Sequence, residues 1–176
     1  MQRLFLIGPM GAGKTSLGKL IAANLNYQFI DTDRVIEART GVDIATIFDF
    51  EGEAGFRERE RAVIDELTQL NRIVLATGGG AVLDRQNRQH LSSRGFVVYL
   101  KVSVPEQLRR TSRDQSRPLL QTENPALVLK KMAKIRAPLY EATADFCIET
   151  HRGRIRQLKN HIIRAYNERT TQCRPT

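Results

Sequence analysis

The sequence predicts a three-layer α/β/α domain around a central, mainly parallel sheet of about five strands. Three observations carry this expectation. Short apolar runs alternate with segments of helical periodicity along the 176 residues. Two of those runs, Ile73-Val74-Leu75-Ala76 and Phe96 to Val102, are almost continuously apolar, as strands buried on both faces are. The first run, Leu4-Phe5-Leu6-Ile7, leads directly into Gly8-Pro9-Met10-Gly11-Ala12-Gly13-Lys14-Thr15, which reads G-x-x-x-x-G-K-T.

That motif is a phosphate loop between a strand and a helix. Its glycines let successive N–H groups point inward at phosphate oxygens, Lys14 offers a point charge and Thr15 a hydroxyl for Mg²⁺. Leu17, Leu20, Ile21 and Leu25 then recur at helical spacing, so bound phosphates sit at a helix N-terminus, where dipole and orphan N–H groups favour anions. Tyr27 to Ile30 reads as a short strand ending in Asp31-Thr32-Asp33, whose carboxylates face the ligand crevice of an open parallel sheet. Asp33 is also placed to cap a helix over 34–40, closed by Gly41.

Asp43 opens a helix over 44–50 closed by Gly52, and Phe56, Val63, Ile64, Leu67 and Leu70 mark a longer helix from about Gly55. The first turn of that helix alternates Arg57, Arg59 and Arg61 with Glu58 and Glu60, a pattern usual for a solvated face. Periodicity does not choose which arginine turns inward; Arg57 is favoured by its place beside Phe56. The strand Ile73 to Ala76 ends in Thr77-Gly78-Gly79-Gly80, where bare backbone lets a ligand approach, although glycine is also the ordinary turn residue. An acid that holds Mg²⁺ often ends this strand in phosphate-loop enzymes, and none does here.

A polar helix follows over Asp84 to Ser92, then the strand Phe96 to Val102 and a short helix with Pro105 in its first turn. Arg109 to Pro118 is arginine-dense and poor in apolar residues, so it is either disordered surface or a lid that orders over a polyanion. Asn124-Pro125 starts a helix that is expected to run to about Arg136 and stop before Pro138. Asp145 to Glu149 is the last strand. Ile155, Leu158, Ile162 and Tyr166 define the last helix, and residues from about 168 to 176 read as a frayed tail.

Composition bounds the function. Net charge is +9 with 27% charged residues, but acids are interspersed and no aromatic-interleaved basic patch exists, which favours acidic small ligands over nucleic acid. No stretch is long enough to span a bilayer, and Cys147 and Cys173 have neither metal nor redox spacing. His90, His151 and His161 belong to no ligand motif. A cytoplasmic, single-domain monomer with no membrane or nucleic-acid partner is expected. Phosphate loop, paired acids, triple glycine and arginines together suit Mg-nucleotide phosphoryl transfer. The absence of N-K-x-D argues against a guanine-nucleotide switch.

In order along the chain, Gly8 to Ser16, Asp31-Thr32-Asp33, Phe56 to Glu60, Ala76 to Gly80, Arg117-Pro118-Leu119-Leu120 and Arg136-Ala137-Pro138-Leu139-Tyr140 closely resemble shikimate kinases. The resemblance spans nearly the whole chain. It implies a nucleoside-monophosphate-kinase-like P-loop kinase fold with a mobile lid over about 111–124, and ATP-dependent phosphorylation of the 3-hydroxyl of shikimate in the chorismate branch of aromatic amino-acid synthesis. It further implies that Gly11, Ala12, Gly13, Lys14, Thr15 and Ser16 cradle the ATP phosphates, with Thr15 and Asp31 serving Mg²⁺. Asp33 binds the substrate hydroxyls and accepts a proton, Arg57 and Arg136 clamp the carboxylate, and Gly79 and Gly80 offer backbone. Arg117 comes down with the lid, while Arg110 and the loop at Arg152-Gly153 border the adenine. Rival readings are another small-molecule kinase, acting on gluconate or a nucleoside monophosphate, and a nucleic-acid-binding ATPase.

Overall fold

The computed structural model of the chain describes residues 2–111, 124–150 and 154–172. Five strands are formed by the apolar runs: β1 (Arg3–Ile7), β2 (Gln28–Asp31), β3 (Ile73–Ala76), β4 (Phe96–Lys101) and β5 (Phe146–Glu149). All pair in parallel in the order β2-β3-β1-β4-β5. The connecting helices are α1 (Lys14–Leu25), α2 (Thr32–Thr40), α3 (Ile44–Leu67), α4 (Arg85–Arg94), α5 (Val104–Thr111), α6 (Pro125–Thr143) and α7 (Ile155–Gln172), with one 3₁₀ turn over Ala81–Leu83.

The pleat divides the core into two. Leu4 and Leu6 of β1 pack with α1 and α7 through Leu17, Ile21, Leu158, Ile162 and Tyr166. Phe5 and Ile7 point the other way, onto Ile36, Phe56, Ile64, Leu91 and Tyr140 of α2, α3, α4 and α6. This is the expected three-layer arrangement, with a sheet that is wholly parallel among the described residues. Two moves of the chain position the site. From β1 it crosses to the β2 edge, whereas from β3 it crosses to β4 on the opposite side. The loops leaving β1 and β3 therefore part and open a crevice at the carboxyl ends of adjacent strands. Register aligns those ends, with Ala76 level with both Leu6 and Asp31.

Two local expectations are corrected. The cap of α2 is Asp31, not Asp33: its Oδ1 accepts the Asp33 N–H at 3.1 Å, and the helix begins at Thr32. The two helices expected on either side of Gly52 are both present within the span α3 and meet at that residue, whose φ of 69° and ψ of −178° are not helical. Glycine meets that backbone demand without a Cβ penalty. Helix α6 does not stop before Pro138 but continues to Thr143. Pro138 denies Lys134 its i+4 donor. Both residues lie on the exposed side, where water can serve the carbonyl, while Tyr140 anchors the following turn at 2% exposure. At the chain's end α7 extends to Gln172, into the segment read as tail. Residues 112–123 of the expected lid lie outside the described residues. No helix among the described residues is long and apolar enough to cross a membrane.

Candidate active site

The loop after β1 takes its shape from glycines at positive φ: Gly8 at 141°, Gly11 at 74° and Gly13 at 89°. A Cβ on Gly8 would lie 2.6 Å from the Leu100 carbonyl oxygen, so the loop is pressed onto β4 backbone that cannot yield. Gly8→Ala is expected to cost roughly 2–3 kcal/mol, lowering the melting temperature by about 5–10 °C. Gly41→Ala, with φ 74° but nothing within 4 Å of its Cβ, should cost about 1 kcal/mol. Equal losses in thermal melts would refute the close-approach argument.

Within the loop, Lys14 Nζ donates to the carbonyls of Gly8 at 2.6 Å and Pro9 at 2.9 Å, which lays its ammonium across the turn. The N-cap of α1 is Gly13 in left-handed conformation, with no side chain to cap the first-turn N–H groups. Those donors and the dipole suit an anion. Ala12 is buried in the core cluster shared with α1. Arg110 lies behind the loop, where its Nη1 donates to the Gly11 carbonyl at 2.9 Å and its Nη2 to the Thr150 carbonyl at 3.1 Å.

Facing the loop are the acids of β2 and α2. Asp31 is held through both oxygens, Oδ1 by the cap bond and Oδ2 by the Thr15 hydroxyl at 2.9 Å. Asp33 follows in the first turn of α2, where the dipole favours negative charge. Buried Thr32 accepts the Gly78 N–H on its Oγ1 at 3.1 Å and ties the turn after β3 to α2. Gly78 is small because its neighbours are acids. A Cβ there would lie 2.7 Å from Glu60 Oε1 and 2.8 Å from Asp33 Oδ1. The acid absent from the end of β3 is thus replaced in space by carboxylates from α2 and α3.

The arginine ambiguity is resolved in favour of Arg57, whose side chain is 16% exposed. Its Nη1 donates to Glu60 Oε2 at 2.6 Å and its Nη2 to Glu53 Oε1 at 3.0 Å, while the guanidinium lies over the Phe56 ring. Arg59 and Arg61 pair outward, with Glu51 and Asp84. Glu60, read from sequence as part of a solvated face, is instead fully buried, and its Oε1 has no hydrogen-bond partner among the described residues. Burial pushes the Glu60 carboxyl up to about 6, opposed by Arg57 and Arg136 and assisted by Asp33.

This makes stability depend on pH. Glu60 binds its proton more tightly folded than unfolded, so its contribution is complete below the ordinary value of 4.5 and is lost as pH rises to about 6. The loss amounts to roughly 2 kcal/mol. Urea melts of the unaltered protein and Glu60→Gln should therefore diverge across that window, with the variant lacking this decline. Parallel curves would mean that Glu60 titrates alike in the folded and unfolded chains.

Arg136, 8% exposed, projects from α6 to the same turn and donates to the Gly79 carbonyl at 3.3 Å. Together these residues line one cleft of about 610 Å³, bordered by Gly11, Gly13, Lys14, Thr15 and Ser16 at one end and by Asp33, Arg57, Gly79, Gly80 and Arg136 at the other. Asp31 bonds to one residue of each group, the Thr15 hydroxyl and the Asp33 N–H. A more open groove of about 670 Å³ between α1 and α7 shares no residue with it. Of the residues expected at the site, Ala12 and Arg110 stand behind the cleft, and Arg117, Arg152 and Gly153 lie outside the described residues. Sequence reasoning missed Glu60, Thr32 and Tyr140; for Glu60 a signal existed in its i+3 spacing from Arg57.

A phosphate loop at the switch point of a parallel sheet, with fixed cations and carboxylates in the adjoining cleft, defines the class: a P-loop kinase for a small acceptor. The family model for shikimate kinase matches residues 10–167. A shikimate kinase of Vibrio parahaemolyticus is 51% identical over 168 residues, covering 96% of this chain and 98% of its own. One of Haemophilus influenzae is 55% identical over 163 residues, covering 92% and 91%. The solved shikimate kinase of Acinetobacter baumannii in complex with shikimate superposes with a TM-score of 0.91 at 49% identity, over 93% of this chain and 92% of that one. The chain belongs to the shikimate kinase family.

Proposed function

We propose that this protein transfers the γ-phosphoryl group of ATP to the 3-hydroxyl of shikimate, giving ADP and shikimate 3-phosphate in the chorismate branch of aromatic amino-acid synthesis. The observation that carries the reading is the division of one cleft between an anion-binding loop and a pocket holding both guanidinium and carboxylate. Shikimate has a carboxylate at one end and hydroxyls at the other, and needs both partners. A nucleoside monophosphate would set its phosphate against Asp33.

Gly11 to Ser16 wrap the ATP phosphates with backbone N–H groups, and Lys14 swings from its loop carbonyls onto the outer phosphates. Arg57 and Arg136 take the substrate carboxylate as planar donors. Gly79 and Gly80 border the ring, and Asp33 accepts a hydrogen bond from the attacking hydroxyl. As that oxygen bonds to the γ-phosphorus and the bond to ADP breaks, the hydroxyl proton passes to Asp33. Lys14 neutralises the charge that develops. Arg117 adds to this from the lid, and Arg110 with the loop at Gly153 borders the adenine. The hydroxyl of Thr15 and the carboxylate of Asp31, 2.9 Å apart at a helix start, are hard oxygen donors suited to Mg²⁺ and would hold it, directly or through its waters. Bound with ATP, Mg²⁺ neutralises charge on the outer phosphates.

ADP release from Mg-ATP, measured in parallel with shikimate, gluconate, AMP, single-stranded DNA and no acceptor, tests the reading. Stimulation by shikimate alone is expected from a monomer in solution. Stimulation by another acceptor instead would overturn the substrate assignment and leave the phosphate loop standing.

A further inference from the structure

Arg136 and Tyr140 stand one turn apart on the buried face of α6, and both donate to a single acceptor, the carbonyl of Gly79. One of the two, Arg136, already has a substrate role in the reading above; the other has none. Tyr140 is 2% exposed and its ring stacks on Tyr99 with centroids 4.8 Å apart and planes inclined by 25°. The ring therefore cannot swing, and the hydroxyl is delivered to one point.

That point is mechanically important. The Ala81 N–H closes the turn onto the Gly78 carbonyl at 3.2 Å and the Leu83 N–H takes the Gly80 carbonyl at 2.9 Å, but the Gly79–Gly80 peptide between them takes part in neither bond, and glycine backbone rotates more freely than any other. The Gly79 carbonyl and the Gly80 N–H belong to the same peptide, which is trans and planar, so they point in opposite directions. Pinning the carbonyl to α6 therefore directs the Gly80 N–H away from α6, within the same peptide plane. Gly80 borders the cleft and lies against Arg57, since a Cβ on it would fall within 2.5 Å of both terminal guanidinium nitrogens.

We infer that Tyr140 is a positioning residue for the acceptor site: its hydroxyl locks the Gly79–Gly80 peptide so that backbone donor and Arg57 meet the substrate carboxylate together. Arg136 alone does not suffice for this. Its 3.3 Å bond to Gly79 is long, and a guanidinium recruited by a substrate carboxylate gives up part of its hold on the carbonyl. The phenol has no competing task. It keeps the peptide in place at the moment Arg136 changes partners. The inference rests on the assignment of the acceptor pocket to shikimate.

Tyr140→Phe keeps the buried ring and its stack and removes only the hydroxyl. With the peptide unlocked, the KM for shikimate is expected to rise about 5- to 20-fold, with kcat within about twofold and the KM for ATP unchanged. Hydrogen exchange at the Gly80 amide, followed without substrate by NMR, is expected to quicken about tenfold in the variant. Unchanged shikimate KM, or a rise in both KM values with a fall in kcat alongside a lower melting temperature, would reduce Tyr140 to a packing residue. The exchange measurement stands apart from the substrate assignment. If the unaltered enzyme ignored shikimate, that assignment would fall, while unaltered Gly80 exchange in the variant would by itself overturn the lock.

Discussion

Asp33→Ala lowers kcat by about 10²- to 10⁴-fold, the usual range for a lost general base, while ADP affinity measured by calorimetry stays within about twofold. The separation follows from position. Asp33 lies in the first turn of α2, across Gly78 from Glu60 and on the acceptor side of the cleft, whereas the phosphate loop is held by its own glycines, by Lys14 and by β4. Its oxygen is also not the one that ties down Thr15; Asp31 does that. Asp33→Asn sharpens the test, because an amide of the same shape keeps the hydrogen bonding to substrate hydroxyls but has no basicity. A base role requires Asn to lose kcat nearly as fully as Ala. Substantial kcat in the Asn variant, with KM intact, would make Asp33 a binding group only.

Arg57→Ala is expected to act twice. Losing a charge-assisted bidentate partner raises the KM for shikimate by about 10- to 100-fold. The same change strips buried Glu60 of its 2.6 Å partner, leaving an uncompensated carboxylate whose cost is about 3–5 kcal/mol. Arg136 nearby softens this, and so does the proton that Glu60 then takes up more readily. The double variant Arg57→Ala/Glu60→Gln separates the two effects. It should regain most of the stability in urea melts and none of the shikimate affinity. Arg59→Ala removes a solvent-exposed pair and Arg61→Ala a partly exposed one, and both should leave the melting curve close to that of the unaltered protein. A larger KM increase in either of them than in Arg57→Ala would shift the clamp along the helix.

The phosphate loop and its setting were legible because their determinants are local. Glycines at positive φ, a lysine and a threonine at set spacing, an apolar strand before and a periodic helix after are all visible within the first turns of the chain. The central strands β1, β3 and β4 were legible for a similar reason, since a run buried on both faces is almost wholly apolar. The end of α6 was misjudged because a proline rule is local too, and the packing of Tyr140 against Tyr99 that carries the helix past Pro138 comes from residues about forty positions away.

By itself, then, the sequence determined a parallel α/β domain, a nucleotide loop and the residue types that a small acidic acceptor requires. Periodicity left the inward arginine open, and only its place beside Phe56 and the family resemblance favoured Arg57. Tertiary structure decided the choice, and it alone showed that Glu60 is the buried counter-charge and that a tyrosine on α6 bonds to the triple glycine. The physical reason is the same in each case. A helix surface presents its charges every few residues without marking which stripe will be covered, and the cover here comes from a turn after another strand and a helix far along the chain. Burial then changes what those groups are: it weakens one carboxyl as an acid, makes one ion pair costly to break, and turns a hydroxyl into a fixed pin.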